Sequence, residues 1–257
     1  MLSSFNEKNC LIIIPARKGS KRVLKKNIKH LNNKPLIEYS LEQCKKIKNV
    51  EILVSTNDQN IVDICKKNNL EVPFLRPNYL CNDNSSSRSI IIHALNYYLK
   101  KYKTLPDIVG LKPPTNPFIK HNSMELMIEK LSLSGNEINS CVSISETKTH
   151  PFRIVNLKKN HIIKNGIIKI QNQTINDIER SQDWPKTWEG SPALRITKSK
   201  YFFDEIQNKD FKKNGKTYDP NKSLGHIISK IEAFDIDDEF DFTLAEAVAK
   251  KNLSKIM

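Results

Sequence analysis

The chain has 257 residues, 38% of them apolar, which is enough to bury the core of one sizeable domain. The formal charge of +14 invites a polyanionic partner, but 35 of the 42 basic residues are Lys spread along the whole chain, and no RNP, KH or zinc-finger pattern accompanies them. The longest apolar runs fall well short of the roughly 18 residues of a membrane span, the opening MLSSFNEKNC has no signal pattern, and the five cysteines are too scattered for a zinc site or a disulfide framework, so a reducing, cytoplasmic setting is expected.

Leu11–Pro15 is a continuous apolar run and predicts a strand buried on both faces. Ile37, Leu41, Cys44 and Ile47 then recur at helical spacing behind Pro35. Val50–Thr56 predicts a second strand, and QNIVDICKKNN a helix with Asp58 as its cap. A long helix is expected over Ser86–Tyr102, a short strand over Asp107–Leu111, a helix at SMELMIEKL and a strand over Ser140–Ser145. This alternation predicts an α/β fold with a mainly parallel sheet covered on both faces.

From Pro151 to about Arg195 the rhythm breaks into short β-like pieces, among them HIIKNGIIKI, where KNG between two apolar runs signals a hairpin. The expected organisation is a single domain over 1–257 carrying an inserted, β-rich arm over 150–195. The chain returns with HIISKIEAFDID and a final helix, EFDFTLAEAVAKK, whose Phe242, Leu244, Ala245 and Val248 are expected to cover the sheet.

The chemistry starts where the first strand ends. Arg17, Lys18, Lys21, Arg22, Lys25, Lys26 and Lys29 follow it directly, with Gly19 and Ser20 among them. Ligands of open parallel sheets bind at the carboxyl ends of the strands. Gly19 permits close backbone approach, Arg17 can fork onto two phosphate oxygens, and Lys21 and Lys26 act as point charges. Asn27 has donors and an acceptor suited to a base edge or a ribose. A nucleoside triphosphate fits this set, while GxxxxGK[ST] and GxGxxG are both absent. The competing reading is a solvated basic loop. Ser85, Ser86 and Ser87 sit at a predicted helix start, where free N–H groups favour anionic ligands or serve ordinary capping. In FDIDD, Asp235 and Asp237 would share one face of a strand end. Two close carboxylates repel unless a cation lies between them, and Mg²⁺ takes such oxygens together with phosphate. The competing reading is an acidic loop that caps the next helix through Asp238 or Glu239.

IIIPARKGSKRVLKKNI resembles the IPARxGSKxxxxKN signature of the acylneuraminate cytidylyltransferases, the CMP-sialic acid synthetase family. RPNYLCNDNSSSRSIIIHAL is similar to that family's RPxxLxxDxxSSxxxxxHAL block, and KPPTNPF to its LQPTSP segment, with Pro113 in place of the Gln. THPFRI and ERSQDWPKTWEGSPALRIT track the segments of the family's dimerisation arm, but Ser191, Pro192 and Arg195 stand where Asn, Gly and Tyr are usual. The resemblance implies a Rossmann-like nucleotidyltransferase fold and the formation of a CMP-sugar and pyrophosphate from CTP and a sialic-acid-like nonulosonic acid. It implies Arg17, Ser20, Lys21, Lys26, Asn27, Arg76 and Ser87 around CTP, with Arg17, Lys21 and Asp237 in catalysis. Thr115, Asn116, Arg180 and Arg195 would meet the acceptor, and Asp235 and Asp237 would hold Mg²⁺ or Mn²⁺. A homodimer without nucleic-acid or membrane partners is implied as well. Three alternatives stay open: a nucleotidyltransferase for another keto-sugar acid, a basic nucleic-acid-binding protein, and a non-catalytic relative that keeps the fold.

Overall fold

The computed structural model describes residues 10–20, 22–82, 85–157, 163–165, 168–203 and 217–256; Lys21 and Asp83 therefore lie outside the described residues. Strand β1 (Cys10–Pro15) is followed by the short pair β2 (His30–Leu31) and β3 (Lys34–Pro35), helix α1 (Leu36–Lys45), β4 (Val50–Ser55) and α2 (Gln59–Lys67). Then come α3 (Ser87–Tyr102), β5 (Ile108–Leu111), α4 (His121–Ser132) and β6 (Ser140–Glu146). The second half holds β7 (Val155–Leu157), β8 (Ile163–Asn165), β9 (Trp188–Lys198), β10 (Ser223–Ile227) and the closing helix α5 (Glu239–Ile256).

Six strands form one sheet in the order β10-β6-β9-β5-β1-β4. All neighbours are parallel except β9, which runs antiparallel between β5 and β6. This is the expected α/β, mainly parallel architecture. β1 sits inside the sheet, and its alternate side chains serve two cores. Cys10, Ile12 and Ile14 pack with α1 and α4, and Leu11 and Ile13 pack with α3. Burial on both faces is why this strand reads as an unbroken apolar run. Asp58 caps α2 by accepting from the Asn60 amide, as expected, and Ser86 caps α3 by accepting from the Ser89 amide.

Three expectations change in three dimensions, and a fourth falls partly outside the described residues. The main sheet is re-entered at Trp188, so the last residues of the 150–195 arm belong to β9. The hairpin expected at KNG runs through Gly166, outside the described residues; Lys164 and Asn165 themselves pair with Asn156 and Val155. The segment carrying Asp235 and Asp237 is an irregular extended stretch after a turn, not a strand end, because β10 stops at Ile227. Finally, α5 covers no sheet face. Phe242, Ala245 and Ala249 pack with Val23, Leu31, Leu36, Tyr39, Phe118 and Ile236, while Leu244 faces out. This third cluster binds the basic loop and the acidic segment to the start of α1.

Candidate active site

The carboxyl edge of the sheet collects the predicted residues. β1 and β4 end side by side, and the ladder runs on through the Ala16 amide to the Ser55 carbonyl at 2.9 Å. The basic loop leaves from there. Its Lys18 amide donates to Asn57 Oδ1 at 2.8 Å, and Gly19 takes φ +87°, a left-handed backbone that a side chain would strain. Ser20 is half-buried beside it. Arg17 Nη1 donates to the Cys81 carbonyl at 2.9 Å, and Asn27, itself buried, donates through Nδ2 to the Arg17 carbonyl at 3.1 Å.

Arg76 is buried beneath Arg17. Its Nε donates to Ser55 Oγ at 2.9 Å, its Nη2 donates to the Ser55 carbonyl, and burial pulls its pKa down to about 10, with the Arg17 charge adding to the shift. Arg76 is thus anchored on Ser55 close to Arg17. Ser87 lies in the first exposed turn of α3, where the capping role belongs to Ser86.

The acidic segment arrives from the far end of the chain. Lys26 is buried, and its Nζ donates to the Ile236 carbonyl at 2.6 Å and the Asp237 carbonyl at 3.0 Å. Arg22 pairs with Asp237, Nη2 to Oδ1 at 2.8 Å, on the exposed side. Burial lowers the Lys26 pKa, and the Asp237 and Asp235 carboxylates work against that shift. The basic loop and the two aspartates, some 210 residues apart, therefore share one site.

A second loop braces the same segment. Ile236 donates its amide to the Thr115 carbonyl at 2.9 Å, Asn116 Nδ2 donates to the Phe234 carbonyl at 3.0 Å, and the Thr115 hydroxyl, donating to Asn116 Oδ1 at 3.5 Å, lies near the Asp235 carboxyl. Lys112, the residue before Pro113, is fully buried behind this loop. Burial lowers its pKa to about 8, with Cys44 and Asp235 opposing the shift. A Lys inside an apolar run next to two prolines was the available signal.

Asp235 is the unusual group. Burial raises its pKa first of all, the Thr115 hydroxyl opposes that, and Asp237 adds like-charge repulsion. Its Oδ1 is buried without a hydrogen-bond partner among the described residues. Capping of α5 does not need either predicted ligand. Asp238 Oδ1 accepts from the Asp241 amide at 3.0 Å, and Asp241 Oδ2 accepts from the Asp238 and Asp237 amides. A buried carboxylate oxygen without a donor, next to a second carboxylate, fits a hard divalent cation that takes oxygen ligands and keeps the rest of its shell for water and phosphate. Among the described residues no cluster of three His, Cys, Asp or Glu competes for this role.

Beside Asp235 lies a cleft of about 130 Å³, walled by Ser145, Glu146, Lys148, Ser191 and Lys230. Arg195 does not line it. Strand alternation turns Arg195 toward Thr217 and Tyr218, where Nη1 donates to Thr217 Oγ1 at 2.8 Å and the guanidinium lies 4.7 Å from the Tyr218 ring. Arg180 is exposed in the arm, and its Nε lies 3.8 Å from Asp183. Neither arginine is brought to the cluster. A cavity of about 1010 Å³ opens at the opposite, amino-terminal edge of the sheet, around Cys10, Asn49 and Asp107, away from both charged segments.

Residues 11–214 match the family described as cytidylyltransferase. The chain is 28% identical to a CMP-N,N'-diacetyllegionaminic acid synthase of Legionella pneumophila over 94% of its own length and 97% of that enzyme's. It is also 28% identical to a pseudaminic acid cytidylyltransferase of Campylobacter jejuni, with the same coverage. Among solved structures, a CMP:2-keto-3-deoxy-manno-octonic acid synthetase complexed with CTP superposes with a TM-score of 0.64 at 13% identity, covering 95% of this chain and 99% of that one. That likeness carries the fold.

Proposed function

The chain belongs to the cytidylyltransferase family, and from that premise we propose that it joins CTP to a nonulosonic acid of the sialic, legionaminic or pseudaminic type, releasing pyrophosphate. The observation that carries the proposal is the meeting of the basic loop with the acidic segment at the carboxyl edge of the sheet, Arg22 on Asp237 at 2.8 Å and Lys26 beneath both.

In this reading Arg17, Ser20 and Lys21 grip the triphosphate, Arg17 from its anchorage on the Cys81 carbonyl. Asn27 borders the cytidine end. Asp235 and Asp237 hold Mg²⁺ or Mn²⁺, which would neutralise triphosphate charge and the charge that builds on the departing pyrophosphate. Thr115 and Asn116 brace the acidic segment beside the acceptor, and the cleft next to Asp235 carries Lys148 together with Lys230, which lies 3.6 Å from Glu146. The anomeric oxygen of the acceptor bonds to the α-phosphorus as the bond from that phosphorus to the bridging oxygen breaks. Pyrophosphate leaves with the electron pair, and the hydroxyl proton passes to solvent. The contribution of the chain is positioning and charge stabilisation.

Pyrophosphate release from CTP with Mg²⁺, run against N-acetylneuraminic, legionaminic and pseudaminic acids and a 3-deoxy-octulosonic acid, tests this directly. Turnover with at least one nine-carbon acid is expected, and little with the eight-carbon one. Silence with every nine-carbon acid would overturn the proposal and favour a non-catalytic relative or another sugar acid.

The arm would pair two copies. Ile154, Val155 and Trp188 are exposed apolar residues on it or at its return to the sheet. Sedimentation equilibrium should report a two-chain mass that Trp188→Glu shifts toward one chain; a one-chain mass for the unaltered protein would rule the pairing out. CTP as co-substrate and five free cysteines accord with the cytoplasm, and among the described residues no helix is long and apolar enough to cross a membrane.

A further inference from the structure

Lys112 has no part in the site as assigned so far, yet its placement is costly. It is the largest wholly buried side chain of the described residues, and a charge taken out of water is tolerated only with its hydrogen bonds met. All three Nζ donors find acceptors: Ser40 Oγ at 2.9 Å, the Pro113 carbonyl at 3.0 Å and the Asn116 carbonyl at 2.9 Å. None of these is acidic, so the lysine forms no buried ion pair that would itself account for its presence. A Leu or Met of similar volume would fill the space at lower desolvation cost.

What the lysine holds is a turn. Its own amide continues the sheet, donating to the Ile13 carbonyl at 2.9 Å, and its Nζ closes the Pro113–Asn116 loop by bonding the carbonyls at its start and its end, with Ser40 Oγ on α1 as a third, separate acceptor. The far side of that loop grips the acidic segment on both sides of Asp235. Asn116 Nδ2 donates to the Phe234 carbonyl, and the Thr115 carbonyl accepts from the Ile236 amide. Lys26 holds the next two carbonyls from the opposite side. Asp235, with its unpartnered oxygen, is thus suspended between two buried lysines, one acting on its own strand of chain and one acting through the Pro113–Asn116 loop.

We infer that Lys112 is a positioning residue that sets the Asp235 carboxylate for its divalent cation through the Pro113–Asn116 loop. The inference rests on the reading of Asp235 as a metal ligand. Outer partners that orient a ligand change metal affinity without touching the metal.

The test compares Lys112→Met, Lys112→Gln and Ser40→Ala in the full-length protein. Mn²⁺ affinity is read by electron paramagnetic resonance with and without CTP, alongside thermal melting, kcat and the KM for CTP. Lys112→Met should weaken Mn²⁺ binding by about tenfold or more, within the range for loss of an orienting partner, and should lower kcat while leaving the KM for CTP near that of the parent at saturating metal. Lys112→Gln, which keeps N–H donors toward the loop carbonyls, should recover part of the loss. Ser40→Ala opens the same part of the core but leaves the loop tied, so it should lower the melting temperature without changing Mn²⁺ affinity. Parental Mn²⁺ affinity in Lys112→Met would overturn the inference, as would equal weakening in Ser40→Ala. Failure of both lysine variants to fold while Ser40→Ala folds would overturn it too, since Lys112 would then serve the core alone. Asp235→Asn separates the two levels: unchanged Mn²⁺ binding there removes the metal assignment itself, whereas a failure confined to the lysine variants removes only this inference.

Discussion

Asp235→Asn should abolish most turnover while leaving the fold intact or slightly firmer. The carboxylate is partly buried, its Oδ1 has no donor among the described residues, and Asp237 repels it. Without a cation these features destabilise the native state, so replacing the charge with an amide of the same shape relieves repulsion and desolvation. With a cation they are what holds it. Losing one of two carboxylate ligands should remove several kcal/mol of charge stabilisation, a fall in kcat of about a thousandfold. The opposite signs are the diagnostic feature: activity falls, and the melting temperature in metal-free buffer stays level or rises. Steady-state turnover at saturating CTP and a melting curve in EDTA measure the two. Near-parental turnover would remove Asp235 from the catalytic centre, and a large drop in melting temperature would make it structural.

Lys26→Met should lose both activity and stability. Lys26 Nζ holds the Ile236 and Asp237 carbonyls, and Ile236 itself is buried in the cluster that α5 closes. Methionine fills the stem but strands two carbonyls, that of Ile236 buried and that of Asp237 part-buried, and a buried acceptor left unmet costs roughly 1–3 kcal/mol. A combined loss of about 2–4 kcal/mol corresponds to a melting temperature lower by roughly 5–15 °C for a domain of this size. Release of the acidic segment should also lower turnover by about 10- to 100-fold, the usual penalty for loosening a ligand's support. Thermal melting with and without CTP and Mg²⁺ reads the stability, and pyrophosphate release reads the turnover. An unchanged melting temperature would contradict the clamp, and full activity in a destabilised protein would confine Lys26 to the core. Together the two substitutions separate a group that holds a ligand from one that holds the backbone beneath it.

Much of the framework could be read one residue at a time. β1 announced itself because burial on both faces demands an unbroken apolar run, and α2 and α3 because Asp58 and Ser86 stand at their predicted caps. The pairing of β8 with Val155–Leu157 was not legible, because the partner lies outside the window in which hairpin propensity is judged. The shared face of Asp235 and Asp237 was expected from strand geometry, yet the segment is irregular and its shape is imposed by Lys26, Thr115 and Asn116. Arg76 and Arg195 were named for their charge, and tertiary packing anchors one on Ser55 and turns the other toward Thr217.

By itself, then, the order of residues determined the alternating α/β layout, the basic loop after the first strand and the pair of aspartates near the end, because helix caps, apolar periodicity and charge are local properties. Only the tertiary structure decided that loop and aspartates meet, where Arg76 and Arg195 are anchored, and that a lysine is sealed in the core behind Asp235. Those outcomes depend on which side chains lose water together, and burial is set by contacts between segments as far apart as Lys26 and Ile236.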